Sequence, residues 1–416
     1  MHLDITTQRK QRVFQQGALS LWAMSLVLGL STVNGEVPRE AVEAANSAGF
    51  KLFAQAFPEG ANGSLAPLSV TSALAMLHPG TAGESRRELT QFLAGTQPAE
   101  IVQAYPQLFE ALGVPAAEDN VPVVRASFAS SLWVQQGFPI AAPFQQQLAE
   151  RWGQQLHPLD FAHDLDTSRQ AISAWYAAQD PLLNDVTAGA VSDQTKLFLA
   201  TAASLQAPWF ARFDSTEPGT FQITAERSVP CQYLSLTLPV GYWEQPGLKA
   251  VRIPFRNERY GVVLLVPESA EVRGEVERSL TAGAWPCEPS RFVRQPTALR
   301  IAKFQHRFAG KDLRVPLQAC GVQAIFTRDA DLSGIGPNLT LDTLQYSNEF
   351  TLDENGCRAS AAVGLSVVIK AQSVPFVTDR PFYYFVMDEL TGLVLFIGRV
   401  YDPSEDPNWN AATRSL

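Results

Sequence analysis

The apolar positions of this chain change period along its length, and the changes mark its elements. Over residues 38–57 they recur at Val42, Ala45, Gly49, Leu52, Phe53 and Ala56, one face of an amphipathic helix that stops at Pro58 and the turn over 60–64. Residues 67–77 are apolar almost throughout, which predicts a helix buried on most sides. Ser85 and Glu88 have the spacing of a capping box, Leu89, Phe92 and Leu93 mark the helix behind it, and Gly95 closes that helix. Further helices are predicted over 144–152 and over 167–178, the second with Thr167 and Gln170 as capping box and with Ile172 and Trp175 facing inward. Residues 196–213 read as a buried strand running to Trp209, and 229–231, 251–255 and 260–267 are spaced as a meander. A strand over 298–308 and a helix over 313–326 follow, then a hairpin of 382–387 and 393–400 across Thr391-Gly392. Residues 404–416 have no period and read as a disordered tail. No repeat or linker divides the chain, so one α+β domain is expected.

The stretch from Glu354 to Ala371 is unlike the rest. Every second side chain from Cys357 to Ile369 is apolar (Cys357, Ala359, Ala361, Val363, Leu365, Val367, Ile369), while Arg358, Ser360, Ala362, Gly364, Ser366, Val368 and Lys370 alternate with them and are, Val368 apart, small, polar or charged. That is the period of a strand with one buried face. Thirteen such residues would span roughly 43 Å, against five or six residues in an ordinary strand. Yet the stretch opens on Glu-Asn-Gly and a run of small residues, a composition that also suits an exposed loop. The residues fit both readings.

That double character resembles the reactive-centre loop of the serpins. The hinge pattern of that family, Glu, any residue, Gly, Thr or Ser, then small residues, is matched by Glu354, Gly356 and Ala359 to Ala362, Ala361 and Ala362 included. Downstream, Asp379-Arg-Pro-Phe382, Phe385-Val-Met-Asp388, Leu395-Phe-Ile-Gly-Arg-Val400 and Asp402-Pro403 are similar to its terminal signature, and residues 126–135, Asp160-Phe161 and Ala330-Asp-Leu-Ser-Gly334 are similar to further family segments. The resemblance covers 36–403. It implies a single domain with three β-sheets, eight to nine helices and an exposed loop near the C-terminus. It also implies suicide inhibition, in which a protease cuts the loop and the loop's first arm inserts as a new central strand, a motion already described for serpins in general. In that family the scissile residue lies sixteen positions after the hinge Glu and eleven before the Pro of the terminal motif; here both counts reach Lys370, so the implied cut is Lys370-Ala371 and the implied target a trypsin-like serine protease. The alternative is a non-inhibitory member acting as a binding, storage or carrier protein.

Two departures qualify the resemblance. Cys357 stands where the hinge carries Thr or Ser, and Arg358 where it is acidic. The polar positions that govern opening of the central sheet fall, with Trp209 as landmark at its upper end, at Ser69, Thr201 and Tyr346, with Ala66 in place of the first Ser; the control network is therefore expected to differ.

Composition narrows the partners. Arg9, Lys10 and Arg12 precede an apolar run from Ala18 to Val33 and the small Gly35, which reads as a signal peptide over 1–35 and a secreted, extracellular or periplasmic protein; sixteen residues interrupted by Ser20, Ser25, Ser31 and Thr32 are short for a membrane anchor. Without 1–35 the chain keeps 29 basic (32 less 3) and 40 acidic residues (41 less 1), a net −11 that argues against nucleic acid, and Arg86-Arg87 is too small a basic pair for a heparin site. The four cysteines (Cys231, Cys287, Cys320, Cys357) fit either free thiols or two bridges in any of three pairings, and with no Cys-x-x-Cys no metal is expected. No Gly-x-Ser-x-Gly, His-Glu-x-x-His, Gly-x-Gly-x-x-Gly or phosphate loop occurs, so no enzyme, cofactor or small-molecule substrate is expected, and the working state is a monomer.

Overall fold

The computed structural model describes residues 37–111, 125–179, 191–213, 215–256, 258–287, 289–341, 344–354, 356–357 and 373–404. The expected leader, the tail from 405 and residues 358–372, with Ala359, Ala361, Ala362, Lys370 and Ala371, lie outside them.

Among the described residues there are eight α-helices, Arg39–Ala56, Pro67–Leu77, Gly83–Ala94, Tyr105–Ala111, Ala142–Trp152, Leu165–Gln179, Ala270–Thr281 and Arg314–Ala319. Every residue of Pro67–Leu77 is buried, as its unbroken apolar pattern requires. The capping boxes are not what the spacing predicts. Ser85 and Glu88 lie inside Gly83–Ala94 and are spent on tertiary ties: Ser85 Oγ accepts from Asp331 N (3.0 Å), and Glu88 Oε2 accepts from Gln323 N and Ala324 N (both 2.7 Å). Thr167 is likewise inside its helix, which begins at Leu165, and Asp164 Oδ1 accepts from its backbone N at 3.2 Å.

The expected three sheets appear as two hydrogen-bonded networks. The larger runs in the order Gly63–Leu65, Val394–Val400, Phe382–Asp388, Tyr260–Pro267, Leu248–Pro254, Ser228–Gln245, Val293–Ala302 and Val374–Val377, with Ser215–Gln222 attached. It is continuous because the 18-residue strand Ser228–Gln245 gives one edge first to Ser215–Gln222 and then to Leu248–Pro254, and the other to Val293–Ala302. Tyr260–Pro267, flanked on both sides and buried at every position, reads as an unbroken apolar run for that reason.

The smaller sheet has six strands, Phe304–Asp312, Leu344–Asp353, Gly356–Cys357, Leu197–Pro208, Arg125–Gln135 and Leu156–Leu159. One face packs in the main core with the larger sheet and the 67–77 helix. The other carries a second cluster in which Ile172 and Tyr176 of the Leu165–Gln179 helix meet Trp133, Phe198, Ala200 and Ala202. The N-terminal helix is tied to the C-terminal hairpin, since Asn46 Nδ2 donates to Gly392 O (2.9 Å) and Val394 N to Asn46 Oδ1 (2.8 Å).

Candidate functional site

At the middle of the six-stranded sheet lies a seam between two parallel strands. Leu197–Pro208 and Leu344–Asp353 pair directly from Leu199 with Leu344 to Ala203 with Asn348. Past that point they part, and the two-residue strand Gly356–Cys357 stands between them, antiparallel to both: Gly356 opposite Pro208 and Asp353, Cys357 opposite Ala207 and Leu352. The chain leaves one strand of the seam, turns, and re-enters as the start of a strand between its neighbours.

Each residue around this fork has a physical reason to be there. Gly356 has φ +135°, and a Cβ on it would come 2.1 Å from Ala207 O, so the turn back into the sheet admits only glycine. Glu354 pairs with Lys303 Nζ at 2.6 Å; burial pushes its carboxyl pKa up, but hydrogen bonding and charge from Lys303, with a smaller pull from Arg212, outweigh it and leave the pKa lowered. Trp209 Nε1 donates to Asp353 O at 2.8 Å, and its ring packs on Phe213 and Phe255, each 5.3 Å away, which fixes the end of the strand just before the turn.

Lower in the seam, Thr201 and Tyr346 stand opposite each other. Thr201 Oγ1 donates to Gln345 O at 3.4 Å, and Tyr346 OH, with its pKa raised by burial, accepts from Ala66 N at 2.6 Å. Ser69 is fully buried, but its Oγ has no hydrogen-bond partner among the described residues, so it does not join them. The structure thus brings Glu354, Gly356, Cys357 and Trp209 together at the fork and Thr201 with Tyr346 below it.

Lys303, Asn348, Ser64, His306 and Tyr384 were not marked by the sequence. The Leu344–Asp353 strand reads LQYSNEFTLD, too polar to signal a buried strand by composition, although Leu344, Tyr346, Asn348, Phe350 and Leu352 recur at its period. The thiols of Cys231, Cys287 and Cys320 are unbridged, and burial raises the last two to about 12 and about 11, which makes them unreactive; only the backbone of Cys357 is described. No helix among the described residues is long and apolar enough to cross a membrane, and no cluster of three or more His, Cys, Asp or Glu that could hold a metal occurs among them.

Comparison with known proteins adds a family. A family model described as Serpin (serine protease inhibitor) matches residues 43–403. An uncharacterised serpin-like protein of Thermococcus kodakarensis is 26% identical over 376 residues, 88% of this chain and 86% of that protein. Alpha-2-antiplasmin of Bos taurus is 28% identical over 349 residues, 82% of this chain and 67% of its own. The crystal structure of uncleaved ovalbumin superposes with a TM-score of 0.75 at 20% identity, over 88% of this chain and all of that one, a likeness of fold.

Proposed function

This chain belongs to the serpin family, and from that premise we propose that it is a loop-inserting suicide inhibitor of trypsin-like serine proteases, cut between Lys370 and Ala371. The observation that carries the reading is the Gly356–Cys357 strand, which already occupies the upper end of the seam. The same register can be extended past Cys357 against both neighbours, because their own pairing keeps them in step. Followed residue by residue, it would set Ala361 between Ala203 and Asn348, and Leu365 between Leu199 and Leu344, the last directly paired residues of the seam. The odd-numbered residues from Ala359 would then share the face of Leu205, Ala203, Leu199, Phe350 and Leu344, which belongs to the main core and suits their apolar character.

Filling the seam from 357 to 365 advances the chain about 26 Å, at about 3.3 Å per residue. Lys370, five residues further on, would lie beyond the paired part of both strands. A protease held by an acyl bond to its carbonyl would be carried the length of the sheet. Each inserted residue gains ladder hydrogen bonds of about 1 kcal/mol and, at odd positions, apolar burial, against about 1–2 kcal/mol of backbone ordering.

The cationic Lys370 side chain suits the primary pocket of a trypsin-like protease, where a carboxylate pairs with it, and Ala371 leaves the departing side open. Residues 1–35 would export the chain to where such proteases act. Incubation with trypsin, denaturing electrophoresis and amino-terminal sequencing of the released fragment test this. The expected result is a covalent complex and a fragment that begins at Ala371. Clean cleavage with no complex would assign the chain to the non-inhibitory members of its family, and a fragment beginning elsewhere would remove Lys370 from the mechanism.

A further inference from the structure

One row of the larger sheet has a gap in it. Residues opposite one another on adjacent antiparallel strands share a face, and Arg294, Gly241, Arg252, Val263 and Phe385 stand opposite one another in that order across five strands. At the Phe385 end the row is covered, because Trp285 packs on Phe385 at 5.2 Å and on Phe50 of the N-terminal helix at 5.1 Å. At the other end Gly241 puts no side chain between two arginines. A cavity of about 110 Å³ lies there, walled by Pro239, Pro254 and Phe292 beside the arginines, and none of its lining belongs to the Arg39–Ala56 or Ala270–Thr281 helix.

The glycine keeps this space open. A Cβ on Gly241 would lie 3.3 Å from both Arg252 Cβ and Phe292 Cβ, so a full side chain would fill the gap. Arg252 itself is held: its Nη1 pairs with Glu389 Oε2 at 3.2 Å, and its Cζ lies 5.7 Å from the centre of the Phe292 ring. Glu389 reaches it over the bare backbone of Gly261, where a Cβ would come 2.6 Å from Glu389 Oε1. Burial pushes the Glu389 carboxyl pKa up by more than Arg252 draws it down, and Asp388 adds to the rise. Charges at this cavity are therefore poorly hydrated and act more strongly than they would in open solvent.

Two further charged residues line the cavity, Arg294 and Glu258. Both are exposed, and neither side chain makes a hydrogen bond or ion pair among the described residues. Glu258 has φ +54°, one of only two non-glycine residues with positive φ among those described, and its backbone N donates to Phe255 O at 2.9 Å. Left-handed backbone is costly for a residue with a Cβ, and such residues gather where a side chain has to be set in a particular place. Here the strained turn brings a carboxylate to the rim of a cavity that already holds an unpaired guanidinium.

The lining thus carries two cations and two anions, and the Arg252–Glu389 pair uses one of each. What is left is one guanidinium, one carboxylate and an apolar wall. A simple anion would meet Arg294 but be repelled by Glu258, and a simple cation would meet Glu258 but be repelled by Arg294. A molecule with both charges satisfies both groups. We propose that this cavity binds a small zwitterion, a free α-amino acid with a short apolar side chain, its carboxylate on Arg294, its ammonium on Glu258 and its side chain against Phe292, Pro239 and Pro254. The size agrees: a cavity of about 150 Å³ takes benzene, so this smaller one suits a side chain of about four carbons with the charged groups left at the rim. The site does not depend on loop insertion, and its test involves no protease.

The test is isothermal titration calorimetry of the intact, full-length protein with L-leucine, beside 4-methylpentanoate, which lacks the ammonium, and 3-methylbutylamine, which lacks the carboxylate. L-Leucine is expected to bind saturably at one site, and each analogue at least about tenfold more weakly. Arg294→Gln and Glu258→Gln are each expected to weaken L-leucine by a similar factor while leaving the thermal midpoint of the free protein unchanged, since both side chains are exposed and unpaired. Gly241→Val is expected to abolish binding by filling the gap; should that variant not fold, the two exposed variants decide the matter. Absence of saturable L-leucine binding, equal binding of 4-methylpentanoate, or unaltered binding in either Arg294→Gln or Glu258→Gln overturns the proposal.

Discussion

Replacement of Ala359 by arginine is the sharpest probe of the insertion register. On the insertion reading, the Gly356–Cys357 pairing continued by two residues would set position 359 between Leu205 and Phe350, which are only 3% and 2% exposed. No acidic side chain shares that face with them: the inward residues of the two strands there are Ala203, Leu205, Ala207, Asn348, Phe350 and Leu352. An arginine would enter the core unpaired, at a cost of several kcal/mol. After acylation the loop either inserts, trapping the protease, or the acyl bond is hydrolysed, and the ratio shifts tenfold for about each 1.4 kcal/mol added to the insertion barrier. If about 3 kcal/mol of the cost is felt in that barrier, the ratio moves by about a hundredfold toward hydrolysis. Ala359→Arg is therefore expected to be cut by trypsin as readily as wild type but to leave trypsin active, with the cleaved fragment replacing the covalent complex on a denaturing gel. Ser360→Arg is the control, because in the same register position 360 would fall on the other face, opposite Ser204, which is half-buried, and the carboxylate of Glu349. It is expected to retain inhibition. One-to-one trapping by Ala359→Arg, or equal damage from both variants, would refute the register.

Cleavage within residues 363–371 is expected to raise the thermal midpoint of the protein, and an unchanged midpoint by calorimetry would mean that the loop stays out. Gly356→Ala should open the fork, since φ +135° and the 2.1 Å approach to Ala207 O cost about 1–3 kcal/mol for any side chain, seen as faster amide exchange at 352–353 and 207–208 with little change elsewhere. The Glu354–Lys303 pair gives a pH dependence of known sign: the folded pKa of Glu354 is lowered, so its stabilisation is present above the ordinary carboxylate range of about 4.3 and is lost as pH falls through the folded value. Glu354→Gln should accordingly flatten the acid limb of fork opening measured by exchange, and an unaltered acid limb would count against the pair. A thiol count on protein denatured without reductant is expected to return four, adding Cys357 to the three unbridged thiols; fewer would place Cys357 in a bridge.

Local pattern determined a good deal of this protein. Period and turn chemistry placed the 39–56 and 67–77 helices, the 260–267 strand and the terminal hairpin, because each buries a face whose apolar spacing is written directly in the residues. The period of two from Cys357 to Ile369 reads as a strand face by the same logic, while Glu354 and Gly356 were marked by resemblance to the family's hinge; beyond Cys357 that alternation lies outside the described residues. What pattern could not reach were contacts between residues far apart in the chain. Ser85 and Glu88 have the spacing of a cap, but Asp331 and the 323–324 backbone compete for them and win. The Leu344–Asp353 strand hides because two of its buried polar side chains, Tyr346 and Asn348, find partners some 280 residues away, and the pairing of Asn348 with Ser64 exists only once two sheets are stacked. Hydrophobic burial is legible one residue at a time. A hydrogen bond needs both ends, and only the tertiary structure brings the second end into place.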